Sequence, residues 1–335
     1  MRRPSDILFL GSDVFSVHVL RAILERKDLY SSLSVVTPPP ARTGRGKRQI
    51  TKPALLELAE TVRLPVYTPS ASDLPSLHSQ IAIPPSILLT ASYGHLLPSS
   101  LLNVVPPMHA INIHPSLLPH LRGAAPIQWA IARRMSETGV SVQTMQDDVF
   151  DSGDILLQRR HTIGDNEHTF TSLVDELGKL AAKATVEVLS NLQTYQQSAY
   201  KQDTSQITHA PKVHRSIGFV DFSTMSAHTI DARHRAFAHQ RPLSATLAQS
   251  NTTHQLHGVE VLSNPQTHPI IHKLDIAGAA TLVQDHLVVK CAKNSFLSVH
   301  SLKPPGKRAI EAHEWWNGHR HDLDVVHFIK PERDA

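Results

Sequence analysis

A single cysteine, Cys291, stands in a chain of 335 residues. No internal disulfide can form, which fits a reducing compartment. No run of 18 or more apolar residues occurs, so no membrane span is predicted. Neither C-x-x-C nor H-E-x-x-H is present, and no metal site is expected. The first strand-like run begins at Asp6, leaving no room ahead of it for a secretory apolar segment or a full transit peptide. Internal repeats are also missing.

What is present describes a globular protein of two domains. Hydrophobic residues make up 41% of the 335 positions, and single cores usually stop growing before ~300 residues. The formal charge is +4 and the isoelectric point about 9.2, a basic excess that suits a polyanionic partner without identifying one. The 23 histidines are more than usual. His254, His257 and His268 lie in loop-like contexts and are expected at the surface.

The first half alternates strand and helix signals. Ile7-Leu8-Phe9-Leu10 reads as a buried strand ending at Gly11, and residues 15–26 carry a helical pattern. Ser34-Val35-Val36-Thr37 reads as a second strand. Residues 52–62 place Leu55, Leu58, Ala59 and Val62 at helical spacing. Ile87-Leu88-Leu89 and Ala110-Ile111-Asn112-Ile113 are further buried strands. Such alternation predicts an α/β domain with a mostly parallel sheet covered on both faces. A longer helix is expected over residues 169–192, with Leu173, Leu177, Leu180, Ala184 and Val188 as its stripe. Residues 193–208 are polar and read as a linker. Beyond them, short β-prone runs at 255–261, 286–290 and 295–299 predict a small barrel or sandwich. The expected domains are therefore 1–192 and 209–335.

Two segments carry candidate chemistry. Asn112 and His114 lie two apart at the end of an apolar run, so in a strand they share a face. At the carboxyl end of a parallel strand that face opens on the crevice where α/β folds bind ligands. Asn can donate to a developing oxyanion, and His can donate or shuttle a proton. By spacing alone, an ordinary strand-to-loop junction with incidental polar residues explains the pair better. Residues 139–158 then place two β-prone runs around the acidic loop Asp151-Ser152-Gly153-Asp154. A carboxylate there can stabilise an imidazolium at His114 and hold a water. A plain hairpin turn is the competing reading, and Asp154 fits it better than Asp151 does.

Together these segments resemble the folate-dependent formyltransferase family. The family's N-x-H followed by S-L-L-P corresponds to Asn112-Ile113-His114-Pro115-Ser116-Leu117-Leu118-Pro119, and its distal aspartate in a D-x-G loop to Asp151. Arg122-Gly123-Ala124-Ala125-Pro126-Ile127-Gln128 is similar to a run in the methionyl-tRNA branch that glycinamide ribonucleotide transformylases lack. Gly11-Ser12-Asp13-Val14-Phe15-Ser16, the T-A-S-Y-G-H-L-L-P of residues 90–98, and Ser301-Leu302-Lys303-Pro304-Pro305-Gly306-Lys307-Arg308-Ala309 extend the resemblance over nearly the whole chain.

Residues 37–52 hold Arg42, Arg45, Lys47, Arg48 and Lys52 with no acidic residue. A solvated basic loop is the bland account. Gly44-Arg45-Gly46-Lys47, however, resembles the G-R-G-K insertion that enters the tRNA acceptor arm, and such cations position a nucleic acid rather than read it. The second domain matches more weakly. Ala210-Pro211-Lys212 and Arg235-Ala236-Phe237 resemble family segments, but Ala238-His239-Gln240-Arg241 and Asp221-Phe222 depart from them. These departures point to a divergent organellar member.

The resemblance implies a doubly wound formyltransferase domain followed by a smaller, open β-barrel of the oligonucleotide-binding kind. It implies an enzyme that moves the formyl group of 10-formyltetrahydrofolate to methionyl-initiator tRNA, without metal. Asn112, His114 and Asp151 would be catalytic. Tyr93, Gly94, Leu96, Ser116, Leu117, Leu118 and Pro119 would bind folate. Arg42, Arg45, Lys47, Arg48, Lys212 and Lys307 would bind tRNA. The protein is expected to be a monomer of the mitochondrial matrix, or cytoplasmic if bacterial. A sugar-nucleotide N-formyltransferase, a 10-formyltetrahydrofolate hydrolase and a non-catalytic tRNA-binding protein remain alternatives. Trp315 and Trp316 are expected to pack in a core rather than stack on bases.

Overall fold

The computed structural model describes residues 4–43, 46, 48–147, 149–164, 168–265, 269–319 and 324–332. Chain contacts divide it into two compact units, with residues 1–127, 136–164 and 171–211 in the first and 128–135, 165–170 and 212–335 in the second.

In the first unit, apolar runs too short for helices become buried strands. In chain order come β1 (Ser5–Gly11), α1 (Val14–Glu25), β2 (Tyr30–Val36), the hairpin β3 (Ala41–Thr43) and β4 (Gln49–Thr51), α2 (Ala54–Thr61), β5 (Val66–Tyr67) and β6 (Ile87–Ala91). They are followed by α3 (Ser99–Leu102), β7 (Ala110–His114), α4 (Pro126–Ala132, counted with the second unit from residue 128 on), β8 (Glu137–Thr144), β9 (Ile155–Thr162), α5 (Phe170–Ser190) and α6 (Leu192–Gln197). The main sheet has the order β5-β2-β1-β6-β7-β8-β9. Its first five strands are parallel, β8 runs antiparallel to β7, and β9, antiparallel to β8, returns to the direction of the first five. Ile7, Leu8, Phe9 and Leu10 of β1 are all at most 2% exposed, as a strand covered on both faces requires.

Strand order reverses between β1 and β6, because β2 and β5 lie on one side and β7 on the other. Loops leaving the carboxyl ends of those two strands diverge there and leave a crevice. Helix α1 starts at that point, with the Asp13 side chain accepting from the Ser16 N–H at 3.2 Å as its N-cap.

The stretch expected to be a linker is packed structure. Residues 192–197 are helical, and those that follow bond back to the first unit through Ile155 N–H to Tyr200 O (2.8 Å) and Arg122 N–H to Thr208 O (2.9 Å). Its polar side chains bond to the sheet and its loops, which composition alone cannot reveal.

The second unit adds α7 (Ala227–Phe237), β10 (Leu243–Leu247), β11 (Thr252–Val261), β12 (Ala279–Val283), β13 (His286–Cys291), β14 (Ser295–Lys303), β15 (Ile310–Glu311), α8 (Ala312–Asn317) and β16 (Val326–Ile329). The antiparallel order β11-β10-β16-β12-β13-β14 closes on itself because β14 also pairs with β11. The barrel expected to be open is thus closed. Leu256, Val259, Leu287, Val289, Leu297 and Val299 fill it, with Trp315 and Trp316 buried in the same core. His254 corrects the surface reading of the histidines. It sits on β11, is 1% exposed and meets the Trp315 ring edge-on at 5.5 Å. His257 is half-buried on the same strand, and His268 lies outside the described residues.

Candidate active site

The end of β7 sets the site. Asn112 pairs with Thr90 of β6 on one side and with Gln143 of β8 on the other, so three polar side chains face the crevice from adjacent strands. The Thr90 hydroxyl donates to Asn112 Oδ1 at 2.7 Å. That bond orients the amide so that Nδ2 donates to Asp151 Oδ1 at 3.1 Å. Gln143 Nε2 donates to the same oxygen at 3.2 Å, and His114 Nδ1 lies 3.3 Å from it. The other carboxylate oxygen accepts the Gly123 N–H at 2.8 Å. His114 Nε2 faces the Leu121 carbonyl at 2.9 Å. Both ring nitrogens of His114 therefore meet oxygen atoms, and the ring is 4% exposed.

Asp151 is held in an uncommon backbone state, with φ +55°. The loop around it is drawn tight by the Thr144 N–H to Asp154 O bond (2.9 Å) and the Asp154 N–H to Thr144 Oγ1 bond (2.9 Å). Gly153 is required there, since a Cβ would run into the Thr144 carbonyl. Gly123 has φ +117°, and a Cβ would stand 2.9 Å from the Ala210 carbonyl oxygen.

Asn112, His114 and Asp151 line a cleft of about 400 Å³. Tyr93, Gly94, Leu96, Leu97 and Met145 furnish much of its apolar wall, and Val149 and Phe150 are exposed at 52% and 54%. Burial pushes the Tyr93 hydroxyl up to about 12, so it remains a neutral donor. Asp13 also lines the cleft. Burial raises its carboxyl above the usual range, against the lowering effect of the Ser16 N–H and the Ser92 side chain.

The structure brings together the three expected catalytic residues and, of the expected folate residues, Tyr93, Gly94 and Leu96. Ser116, Leu117, Leu118 and Pro119 do not line the cleft. Their segment is turned inward to shape the loop. The Ser116 hydroxyl donates to His120 O at 2.6 Å, and the Leu118 N–H donates to Ser141 Oγ at 3.0 Å. The sequence reading held Thr90 and Asp13 only as members of matched segments and gave Gln143 no role. Gln143 could have been found from the alternation of β8, which places it on the face of Ser141.

Among the basic residues, Arg42 and Arg48 are exposed on the first unit and Lys212 and Lys307 on the second. Arg45 and Lys47 lie outside the described residues. Lys52 is paired with Glu60 at 2.7 Å. The second unit also holds a hollow of about 330 Å³ bordered by Arg215, Arg241 and Phe219. Glu260, His286 and His300 form a group on the barrel, but the two imidazoles stack at 4.1 Å and 10°, so their in-plane lone pairs do not converge on one ion. Cys291 is buried, which pushes its thiol up to about 12 and leaves it inert.

Comparison with known proteins places these features in context. Residues 6–189 match the profile described as formyl transferase, and residues 212–320 match the formyl transferase C-terminal domain. The chain is 33% identical over 317 residues to a methionyl-tRNA formyltransferase of Nitrosococcus oceani, covering 91% of this chain and 96% of that one. It is 32% identical over 314 residues to that of Methylococcus capsulatus, covering 93% and 96%. In fold it is similar to an N-formyltransferase from Helicobacter canadensis solved with folinic acid and dTDP-3-aminofucose, at a TM-score of 0.61 and 14% identity, with 89% and 99% of the two chains covered.

Proposed function

Because the chain belongs to the formyl transferase family, we propose that it moves the formyl group of 10-formyltetrahydrofolate onto the α-amino group of methionyl-initiator tRNA. Its relatives over nearly the full length carry the name methionyl-tRNA formyltransferase, and this supports the tRNA acceptor over a small amine. The observation that carries the chemistry is the Asp151 carboxylate, on which Asn112, Gln143, Gly123 and His114 converge at the cleft.

In the reaction the neutral amine attacks the formyl carbon, and its lone pair forms the new C–N bond. The carbonyl π electrons become an oxyanion. As the intermediate collapses, the bond to the folate N10 breaks and the amine proton ends on that nitrogen. Asn112 spends one Nδ2 proton on Asp151, which leaves the other for the oxyanion. Such a preorganised donor is worth ~3 kcal/mol. His114 joins it by exchanging the Leu121 carbonyl for the developing negative charge. Asp151 faces His114 Nδ1 and orients the ring, and its carboxylate orders a water that carries the amine proton to the leaving nitrogen. No step calls for a metal. Tyr93, Gly94 and Leu96 contact the folate, while Arg42, Arg45, Lys47, Arg48, Lys212 and Lys307 contact tRNA phosphates. The departures in the second domain are the ground for a mitochondrial-matrix address, with the cytoplasm the alternative that its bacterial relatives favour.

The test is formyl transfer from 10-formyltetrahydrofolate with methionyl-initiator tRNA, methionyl-elongator tRNA, free methionine and a dTDP-amino sugar as parallel acceptors. Product on the initiator tRNA alone is expected. Product on the amino sugar alone, or no transfer by folded protein that binds folate, overturns the proposal.

A further inference from the structure

Gln202 stands 51 residues from Asp151 in sequence, in the coil after α6. Its carboxamide nitrogen donates to the backbone oxygens of Asp151 at 3.0 Å and Gly153 at 2.8 Å, with Gln143 Oε1 also in reach at 3.1 Å. Its oxygen accepts from Arg122 Nε at 3.1 Å and Nη2 at 2.6 Å. Arg122 immediately precedes Gly123, whose N–H holds Asp151 Oδ2. One side chain thus ties together the two loops that meet at the Asp151 carboxylate.

The need for such a tie lies in the backbone. Asp151 has φ +55°, a state that a non-glycine residue keeps only when surrounding contacts over-determine it. The donors on the carboxylate fix the tip of the side chain. Gln202 fixes the main chain from which it extends. A carboxamide donates at one end and accepts at the other, and both ends are used here.

We propose that Gln202 is a positioning residue: it clamps the Asp151–Gly153 backbone against Arg122 and thereby holds the Asp151 carboxylate in place between Asn112 and His114. This rests on the formyl-transfer reading of the site.

Two variants separate the clamp from a general structural role. Gln202→Leu removes both halves of the bond set. Gln202→Glu retains an acceptor for Arg122 but cannot donate to the two carbonyls. Both should lower kcat by about 10²-fold, the scale of a small misplacement of a catalytic group. KM for folate and tRNA should stay near wild type, because Gln202 does not line the cleft. In an Asp151→Ala background the Gln202 changes should add little, since the residue acts through Asp151. Amide exchange across residues 149–154 should rise in both variants. Unchanged kcat, or full additivity with Asp151→Ala, overturns the proposal. If wild type transfers no formyl group to any acceptor, the functional reading fails by itself. Exchange still tests the clamp, and unaltered exchange at 149–154 overturns it.

Discussion

Replacing Asn112 with alanine removes the amide held between Thr90 and Asp151 and with it the spare proton that the proposed mechanism gives to the oxyanion. We expect kcat to fall by roughly 10²–10³-fold with little change in KM for folate. Asp151→Asn is a sharper probe than truncation. It keeps the volume but turns one acceptor oxygen into an NH₂ group, so either Gly123 or the Asn112–Gln143 pair loses its acceptor. A fall of about 10²–10⁴-fold is expected in single-turnover assays, and a near-normal rate in either variant removes the assigned roles. Asp13 offers a pH test. Its carboxyl is raised by burial, so the folded state keeps that proton to higher pH than the unfolded chain does. The native state then binds more protons above the ordinary carboxyl range, and this contribution to stability is lost as pH rises through the folded value. Asp13→Asn preserves a capping side chain and removes the titration. The Tm of the variant should therefore gain on wild type as pH rises from acid to neutral; a gap that does not change with pH contradicts this. The triad of Asn112, His114 and Asp151 was legible because strand alternation and a motif both mark it. Gln202 was not, since nothing local in a polar coil tells that its amide reaches two loops. The residues from Ser116 to Pro119 stand in the motif, yet they lie off the cleft with the Ser116 hydroxyl and Leu118 N–H turned inward, which the motif does not show.

At the scale of elements, α5 shows how much pattern alone conveys. Its expected stripe included Leu180, which is only half-buried, whereas Gly178 and Ala181 are buried. Small residues on that face let α5 approach α1, and a Cβ at Gly178 would collide with the His18 side chain. Gly178→Ala should gain about 1 kcal/mol of helix propensity. The collision includes His18 Cβ at 3.1 Å, an atom fixed by the α1 backbone. Overpacking of this kind costs about 1–3 kcal/mol, so a net loss is expected in urea unfolding. A stabilised variant would show that the two helices part freely. The strands β1, β6 and β7 were readable as apolar runs because each is buried on both faces. Barrel closure was not, because it depends on the long-range pairing of β11 with β14, which no single run encodes.

The whole molecule must hold a polyanion many times larger than its cleft. Exposed cations stand on both units, with Arg42 and Arg48 on the first and Lys212 and Lys307 on the second. Basic composition hinted at such a partner, but only the folded chain shows which cations are open to solvent and that Lys52 is engaged by Glu60. If both units grip one tRNA, each contributes phosphate contacts whose counterion release adds up in the salt dependence. Each lost contact should lower the slope of log KM for tRNA against log salt by about 0.7–0.9. Arg42→Ala with Arg48→Ala, and separately Lys212→Ala with Lys307→Ala, should each raise that KM, with kcat retained at saturating tRNA. If the two sets do bind one ligand, their combination should multiply rather than saturate the loss. Free folate binding should be untouched in every case. A second-unit pair that leaves both KM and slope unchanged would confine tRNA contact to other residues, and the basic excess at Lys212 and Lys307 would then serve solubility alone.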